Sequence, residues 1–219
     1  MILTHVGKFG DFIPSLTISN YYYKNNGEKT TFILSNWFKS IVGLEDFLLL
    51  QDFTEKVIFD SYVPENFNMG GQPYKFKPES LIDEVYYNLG MSGFPTRYLG
   101  QNYAEDSNLK YDTDMDLKFI DENFPIELRN LDVYSHFHEE RWDKDRYEVR
   151  FTKLLPEEGY IPIDINKPLL YNLNLVHYSK NNLFYPNGFS VLVDMCKIQY
   201  KIINSSVNPN VYYLNFPNL

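Results

Sequence analysis

The first stretch of the chain that could do chemistry is the run Gly7-Lys8-Phe9-Gly10-Asp11. Two glycines let the backbone turn tightly and approach a ligand closely. A helix predicted to follow adds free backbone N–H groups and the positive end of its dipole, both of which attract anions. The run has neither the G-x-G-x-x-G spacing of a dinucleotide-binding turn nor the G-K-[ST] of a P-loop. It therefore predicts a tight turn that suits an anionic ligand.

Asp11 has two interpretations. A carboxylate near the start of a helix can accept hydrogen bonds from the first backbone N–H groups and so cap the helix. The same carboxylate at the mouth of a cleft can act as a general base that takes a proton from a hydroxyl group. The residue types alone leave both interpretations open.

Short strands and helices alternate in the prediction for residues 1–60. Strands are predicted at 2–6, 31–34 and 57–59, from short β-prone apolar runs. Helices are predicted at 12–23 and 36–50, and Asn25-Asn26-Gly27 is the expected stop of the first. This β-α-β-α-β order favours a parallel, doubly wound sheet.

The middle of the chain is predicted to be less regular. Residues 64–78 are rich in Asn, Gly and Pro and predict a loop. Residues 79–89 predict a helix, which the glycines from Gly90 onward should break. The polar, acidic stretch 105–116 predicts a linker.

A second β/α run is predicted after the linker. Strands are expected at 131–134, 160–163, 173–177 and 200–203, with Pro162 marking an edge or a strand start. One helix is expected at 146–155 and another after Asn187-Gly188-Phe189-Ser190. The same strand–loop–helix–strand logic thus occurs once in each half of the chain.

Composition narrows the class of protein. The chain has 219 residues, of which 44% are hydrophobic and 17% aromatic, and this argues against disorder. A net charge of -9 argues against non-specific nucleic-acid binding. The single cysteine, Cys196, excludes an internal disulfide and is expected to be a buried small hydrophobe. Apolar runs such as Phe47–Leu50 are too short to span a bilayer and no signal-peptide pattern is present, so the expected location is cytoplasmic.

A strand followed by G-x-x-G-D at the opening of the first helix resembles the N-terminal lobe of heptosyltransferase-type GT-B glycosyltransferases (ADP-heptose:LPS heptosyltransferase-like). The resemblance implies that Asp11 is the catalytic base. It also implies that Gly7, Lys8 and Gly10 lie at the donor phosphates.

The second half resembles the C-terminal lobe of the same family through the order of its loops. Arg141 directly precedes Trp142, where the family has a basic residue that contacts donor phosphate, and a Gly-containing turn later precedes a helix. The residues that the resemblance places at the donor phosphates are Ser135, His136, Arg141, Asn187, Gly188, Phe189 and Ser190. Two alternatives stay open: Arg141 as a surface charge among acidic neighbours, and Gly188–Ser190 as a plain helix N-cap.

Two other clusters could bind metal. Asp112, Asp114 and Asp116 form two overlapping D-x-D motifs, which metal-dependent transferases of another fold use, although a solvated acidic linker has the same composition. An EF-hand is excluded because Leu117 replaces the required glycine. His136 and His138 would share a face of an extended segment, but no third ligand follows at a fixed spacing.

The sequence therefore predicts an α/β fold of two small Rossmann-like lobes with mainly parallel sheets and a cleft between them. The predicted lobes are residues 1–120, on the acceptor side, and residues 121–219, on the donor side. Ligands of such folds bind at the carboxyl ends of the strands.

The predicted function is transfer of a sugar from a nucleotide-sugar donor to a glycan or other hydroxyl acceptor, with no metal or other cofactor. A first alternative is a non-catalytic nucleotide- or sugar-binding module, because Val191 replaces the family's usual histidine on the donor helix. A second is a metal-dependent transferase that uses Asp112, Asp114 and Asp116.

Overall fold

The computed structural model contains two parallel four-stranded sheets, one built from each half of the chain. It describes residues 1–6, 9–61, 87–90, 109–112, 114–135, 159–184 and 188–202. The first sheet and the helices that follow its strands are called the first lobe. The second sheet and its helices are called the second lobe. The α/β class and the parallel pairing predicted from the sequence are confirmed.

The first sheet has the strand order β3-β2-β1-β4, and all its pairs are parallel. Its strands are β1 (Ile2–Val6), β2 (Thr30–Ser35), β3 (Thr54–Asp60) and β4 (Tyr87–Gly90). Parallel neighbouring strands need a crossover connection, usually a helix. The alternation of strands and helices along the chain therefore leads to parallel pairing. The three strands predicted for residues 1–60 are confirmed, each within a few residues.

Helices of the first lobe are shorter than predicted. The chain after β1 forms α1 (Phe9–Phe12), a 3-10 turn at Ile13–Ser15 that contains Pro14, and α2 (Leu16–Asn26). Gly27 ends α2 in the left-handed conformation at φ 69°, as its position in the sequence predicts.

The single helix predicted over 36–50 is wrong. A 3-10 helix occupies Asn36–Ser40, and α3 (Leu44–Leu49) begins only after Gly43. Gly43 has φ 75°, a backbone conformation that continuing helix does not allow. Apolar periodicity continues across this break because both pieces pack on the same sheet.

The predicted helix over 79–89 is also wrong at its carboxyl end, where β4 pairs with β1 in parallel register. Leu3 lies opposite Tyr87, and His5 lies opposite Leu89. The backbone hydrogen bonds of β1 therefore override the local helical pattern here. Residues 79–86 and the predicted loop 64–78 lie outside the described residues.

The second sheet has the strand order β6-β5-β7-β8, again with parallel pairs throughout. Its strands are β5 (Asp132–Ser135), β6 (Tyr160–Pro162), β7 (Asn181–Phe184) and β8 (Lys201–Ile202). Pro162 lies in β6, which is an edge strand among those described, as expected of a residue without a backbone donor. The strand β7 was missed from the sequence.

The strand predicted at 173–177 is a correction: this segment belongs to α4 (Leu169–His177). Alternate leucines at 173 and 175 suggest a strand, but Leu169, Leu173 and Val176 also follow helical spacing and are buried. The polar partners of that alternation, Asn172 and Asn174, are buried and hydrogen-bonded rather than solvated. The last described helix is α5 (Gly188–Met195), which begins within the turn predicted to precede it. The predicted helix 146–155 lies outside the described residues.

The acidic linker predicted between the halves packs against both lobes. From residue 115 to 120 its side chains alternate between buried and exposed, with Met115, Leu117 and Phe119 buried. Two buried amide side chains, Gln51 and Asn174, hydrogen-bond its backbone. The linker is therefore an extended segment that is part of the core, and we call residues 112–124 the strap. The boundary predicted at 120 and 121 falls inside it and stays a prediction.

Candidate functional site

Residues Gly10 and Asp11 follow the carboxyl end of the central strand of the first sheet. The chain passes from β1 to β2 and β3 on one side, whereas β4 lies on the opposite side of β1. The strand order therefore reverses at β1. Ligands of parallel α/β sheets bind in the crevice outside the carboxyl ends of the strands at such a reversal.

The second sheet has its own reversal between β5 and β7. Strand β6 lies on one side of β5, and β7 lies on the other. The last residue of β5, Ser135, is buried and pairs with Phe184 at the end of β7. Helix α5 begins at Gly188, a few residues further on. Ser135 and the Gly188 turn therefore occupy the position where a ligand of this sheet is expected.

The two glycine turns meet between the lobes. A methyl group at Gly10 would lie 2.9 Å from Cα of Gly188, and one at Gly188 would lie 2.8 Å from the backbone N of Gly10. Both distances are shorter than a carbon atom tolerates. Only glycine at both positions lets α1 and α5 approach this closely. The predicted base and the predicted donor helix are thus brought side by side.

Aromatic packing fixes α1 on the first sheet. Phe12, one residue after Asp11, is fully buried. Its ring makes edge contacts with Phe32 at 5.7 Å, Phe38 at 5.4 Å and His5 at 5.8 Å between centroids. Such contacts add to the energy of burial and hold the ring in one orientation. They therefore hold the carboxyl end of α1 on the first sheet.

His5 is neutral in the folded protein. It lies on β1 and is 1% exposed. Burial lowers the pKa of His5 to about 3, because the charged imidazolium would be removed from water. The cluster around Phe12 therefore places no positive charge next to the turn at neutral pH.

Helix α5, the predicted donor helix, carries an apolar side chain near its start and an ionisable one near its end. A methyl group at Gly10 would lie 3.9 Å from Cγ2 of Val191, so Val191 faces the first turn. At the other end of the helix, burial raises the pKa of Asp194 to about 7, although a hydrogen bond from Tyr200 acts in the opposite direction. Phe189 packs edge-on against Phe184 at 6.0 Å, which anchors the start of α5 on the sheet.

We expect Gly10→Ala and Gly188→Ala each to lower the free energy of unfolding by about 1–3 kcal/mol, because backbone atoms must move to make room for the added methyl group. The double variant should lose less than the sum of the two, since either methyl group alone already separates the helices. Urea denaturation of the three variants measures both effects. Wild-type stability in either single variant would contradict the close contact.

A matched control is Gly27→Ala at the end of α2. Nothing lies within 4 Å of a methyl group at Gly27, whose φ is 69°. The control should therefore lose about 1 kcal/mol from backbone strain alone. Its loss should add to that of Gly188→Ala, because the two sites share no contact.

The predicted site residues are described to different extents. Those outside the described residues are Gly7, Lys8, His136, Arg141 and Asn187. Asp11 is described only through its backbone, as the third residue of α1. Because α1 begins at Phe9, Asp11 lies in the first turn rather than at the cap position. Of the predicted site residues, the structure brings Gly10 and Gly188 into contact, Phe189 and Ser190 follow Gly188 in α5, and Ser135 pairs with Phe184 at the end of β7.

The three aspartates of the D-x-D run are paired with lysines. Lys24 contacts Asp112 at 3.1 Å, and Lys197 contacts Asp114 at 3.3 Å and Asp116 at 2.8 Å. These carboxylates thus have ion-pair partners from both lobes. Among the described residues no group of three or more His, Cys, Asp or Glu side chains is arranged to hold a metal ion.

A separate cavity of about 250 Å³ lies beneath the strap, at the opposite end of α5 from the glycine contact. Met115, Phe119, Met195 and His177 line much of its wall. Burial lowers the pKa of His177. Cys196 also lines the cavity; it is half-buried, whereas the sequence predicts a buried small hydrophobe, and burial raises the pKa of its thiol.

Gln51 and Asn174 were not identified as important residues from the sequence. Each is only 3% exposed, and each uses both its amide oxygen and its amide nitrogen on the strap backbone. The signal available for Asn174 was a polar residue within the otherwise apolar run that forms α4. A buried amide needs partners, and here the partners come from the backbone of the strap.

Comparison with known structures identifies the fold. The chain is similar to a family 9 glycosyl transferase from Veillonella parvula, with a TM-score of 0.60 and 11% identity over 98% of this chain and 83% of that one. It is also similar to the E. coli heptosyltransferase WaaC, solved with ADP, with a TM-score of 0.59 and 10% identity over 99% of this chain and 91% of that one.

A third similar structure is the dodecameric, iron-containing heptosyltransferase TibC from enterotoxigenic E. coli. Its complex with ADP-D-beta-D-heptose has a TM-score of 0.56 and 14% identity over 99% of this chain, which spans 60% of TibC. No protein-family model and no curated protein matches the chain by sequence.

The fold is therefore that of the GT-B-like, heptosyltransferase-type glycosyltransferases, and the resemblance inferred from the loop motifs is confirmed at this level. Within the described part of the chain, no helix has the length and apolar character needed to cross a membrane.

Proposed function

We propose that this protein transfers a sugar from a nucleotide-sugar donor to a hydroxyl acceptor, without a metal ion. The observation that carries the proposal is the contact between Gly10 and Gly188. It joins the ligand-binding ends of two parallel sheets in a glycosyltransferase fold. A donor held by one lobe and a base held by the other would meet at this place.

Asp11 is the proposed base. It follows Gly10 in α1, so its backbone is next to the contact between the lobes. The acceptor oxygen forms a bond to the anomeric carbon of the sugar, and the bond from that carbon to the diphosphate oxygen breaks. The hydroxyl proton goes to the Asp11 carboxylate, and the electron pair of the broken bond leaves with the nucleoside diphosphate.

The donor diphosphate is proposed to bind at the start of α5. Gly188, Phe189 and Ser190 form the first turn of this helix, whose N–H groups and dipole favour an anion. Lys8 and Arg141 are the proposed cations that offset the charge of the departing diphosphate. His136 and Asn187, which follow the residues of β5 and β7 in the sequence, complete the proposed set together with Ser135.

Adenosine diphosphate sugars are the first donors to test. WaaC was solved with ADP, and TibC was solved in complex with ADP-D-beta-D-heptose. Similar folds bind similar ligands only when the side chains agree, so the nucleotide and the sugar must be found by experiment.

A metal-independent mechanism agrees with the pairing of Asp112, Asp114 and Asp116 with lysines. Helix N–H groups and cationic side chains are then proposed to supply the charge stabilisation that a divalent ion supplies in other transferases. A transferase that used the D-x-D run would be inactivated by EDTA and restored by Mn²⁺.

A non-catalytic binding module is a second candidate, and the observation that favours it is the position of Val191. Its methyl group faces Gly10 across the contact between the lobes. An apolar group there cannot donate a hydrogen bond to a phosphate or a sugar. The module would keep the fold and bind a nucleotide without transferring the sugar.

The test is a thermal-shift panel of ADP, UDP, GDP and their sugar conjugates, followed by mass spectrometry of the mixtures that give a shift. We expect one nucleotide class to raise Tm and its sugar conjugate to release the nucleoside diphosphate when an acceptor is present. A ligand at 100 times its Kd stabilises by about 2.7 kcal/mol, which such a panel detects easily. A shift without release would support the binding module, and no shift with any nucleotide would refute both candidates.

A further inference from the structure

The contacts of the strap change from the first lobe to the second lobe at one peptide bond, between Lys118 and Phe119. Its first part is tied to the first lobe: the N–H of Asp112 donates to the Thr17 carbonyl at 3.0 Å. Lys118 is bound by Gln51, whose Oε1 accepts from the Lys118 N–H and whose Nε2 donates to the Lys118 carbonyl, both at 2.9 Å. The Lys118 side chain also contacts Asp52 at 2.6 Å. Asp112 and residues 114–118 are therefore grouped with the first lobe.

The rest of the strap is tied to the second lobe. Asn174 donates to the Phe119 carbonyl at 2.7 Å and accepts from the Asp121 N–H at 2.7 Å. The ring of Phe124 stacks on that of Tyr178 at 5.9 Å between centroids. The transfer from one lobe to the other thus lies at the Lys118–Phe119 junction, which is the natural pivot for a relative motion of the lobes.

One side chain of the second lobe reaches back across this pivot. Lys197 follows α5, and its Nζ contacts Asp116 at 2.8 Å and Asp114 at 3.3 Å. Both aspartates lie on the part of the strap that is tied to the first lobe. The amino end of the same helix contacts Gly10 of the first lobe. Helix α5 is therefore held to the first lobe near both of its ends.

We propose that Lys197, Asp114 and Asp116 form an electrostatic clasp that holds the two lobes together, and that its release lets the lobes open about the Lys118–Phe119 junction. A methyl group does not fit between Gly10 and Gly188, so a ligand enters the gap between α1 and α5 only when the lobes separate. The clasp opposes that separation, together with the contact between Gly10 and Gly188 and the hydrogen bond from the Leu169 N–H to the Val42 carbonyl at 2.7 Å. The opening motion does not depend on the transferase activity proposed above, whereas the entry of a ligand between α1 and α5 rests on the ligand site proposed there.

The side chains of the clasp are exposed, so its ion pairs can break and re-form. Lys197 is 56% exposed, and Asp114 and Asp116 are 82% and 92% exposed. Exposed ion pairs are individually weak and are screened by salt. Each partner shifts the other: the aspartates raise the pKa of Lys197, and Lys197 lowers the pKa of Asp116. Both groups stay charged at neutral pH, so the clasp responds to ionic strength.

Hydrogen exchange measured by mass spectrometry tests the clasp. In Lys197→Met, the amides of residues 9–16 and 188–195 should exchange roughly two- to tenfold faster than in the wild type, because these segments face each other across the gap. Wild-type protein in about 1 M NaCl, where the Debye length is about 3 Å, should show the same increase.

The matched control is Lys24→Met. Lys24 pairs with Asp112 of the same acidic run, and it donates to the carbonyl of Asp114, but it lies in α2 of the first lobe. Both contacts of Lys24 join parts of the structure that are tied to the first lobe. Their loss should therefore leave exchange in both segments at the wild-type rate.

A second variant removes the acidic partners of Lys197 instead of the lysine. The Asp114→Asn/Asp116→Asn double variant removes both partners of Lys197 and should reproduce the faster exchange of Lys197→Met. Unchanged exchange in the clasp variants, or an equal increase in Lys24→Met, would overturn the proposal. If Lys197→Met does not fold, the double variant and the salt series decide the matter.

Discussion

Asp11→Asn should lower kcat by roughly 10²- to 10⁴-fold and leave the affinity for the nucleotide unchanged. Asparagine has nearly the same size as aspartate but cannot take the proton of the acceptor hydroxyl. The backbone of Asp11 lies in α1, next to the contact between Gly10 and Gly188. The measurement is steady-state kinetics with the donor identified by the thermal-shift panel, together with a nucleotide titration.

Asp46→Asn is the matched control for this variant. Asp46 is an exposed carboxylate in the first turn of α3, a position like that of Asp11 in α1. Its turnover should equal that of the wild type. Unchanged kcat in Asp11→Asn would remove the role of base from this residue. A fall in Tm with normal kcat would show instead that Asp11 acts in the stability of its helix.

Asn174→Leu should lower the free energy of unfolding by about 2–4 kcal/mol. The leucine fills the space but leaves the Phe119 carbonyl and the Asp121 N–H without the partners that Asn174 provides at 2.7 Å each. A buried or half-buried backbone group without a partner costs about 1–3 kcal/mol. Urea denaturation measures the loss. It should be accompanied by a smaller m-value, because the strap no longer couples the unfolding of the two lobes.

The control for this prediction is Asn172→Leu, two residues earlier on the same helix. Asn172 is 4% exposed and Asn174 is 3% exposed, so the burial is matched. Asn172 donates only to the loop before α4, at 2.9 Å to Asp164 and 3.3 Å to Lys167. We expect a loss of about 1–2 kcal/mol with an unchanged m-value. An equal change of m-value in both variants would show that the strap does not couple the lobes.

We expect stability and nucleotide affinity to be connected through α5. Its first residue touches Gly10, and Lys197, two residues after its end, reaches the strap. A variant that loosens the strap should therefore also change how α5 meets the first lobe. Comparing nucleotide affinity in Asn174→Leu and Asn172→Leu separates this indirect effect from a general loss of stability.

Local patterns predicted the fold most successfully where they were strong. Apolar, β-prone runs predicted β1, β2 and β3, and Gly27 predicted the end of α2. Gly10 and Gly188 were identified from the composition of their segments, and the structure brings these two residues into contact. Such signals are local because a strand needs only alternation or an apolar run, and a helix end needs only a residue that tolerates the left-handed conformation.

One error, the unbroken helix predicted over 36–50, came from the local conformation of Gly43, and two others occurred where distant partners decide the structure. The alternation at Leu173 and Leu175 predicted a strand, but burial of the whole face of α4, with Asn174 bonded to the strap, makes it a helix. Helical spacing near Leu89 was overridden by pairing of β4 with β1. In these two cases the competing local pattern was short, and the hydrogen bonds that outweighed it come from residues far away in the sequence.

The sequence by itself determined two β/α halves with parallel sheets, because strand and helix preferences act over a few residues. It also identified a glycine-containing segment in each half. Only the tertiary structure decided that Gly10 meets Gly188. That contact depends on how both sheets orient their helices and on the strap that joins them. The same reasoning applies to the D-x-D run: its composition suggested metal ligands or a solvated linker, and the packing of α2 and α5 supplied the lysines that pair with it.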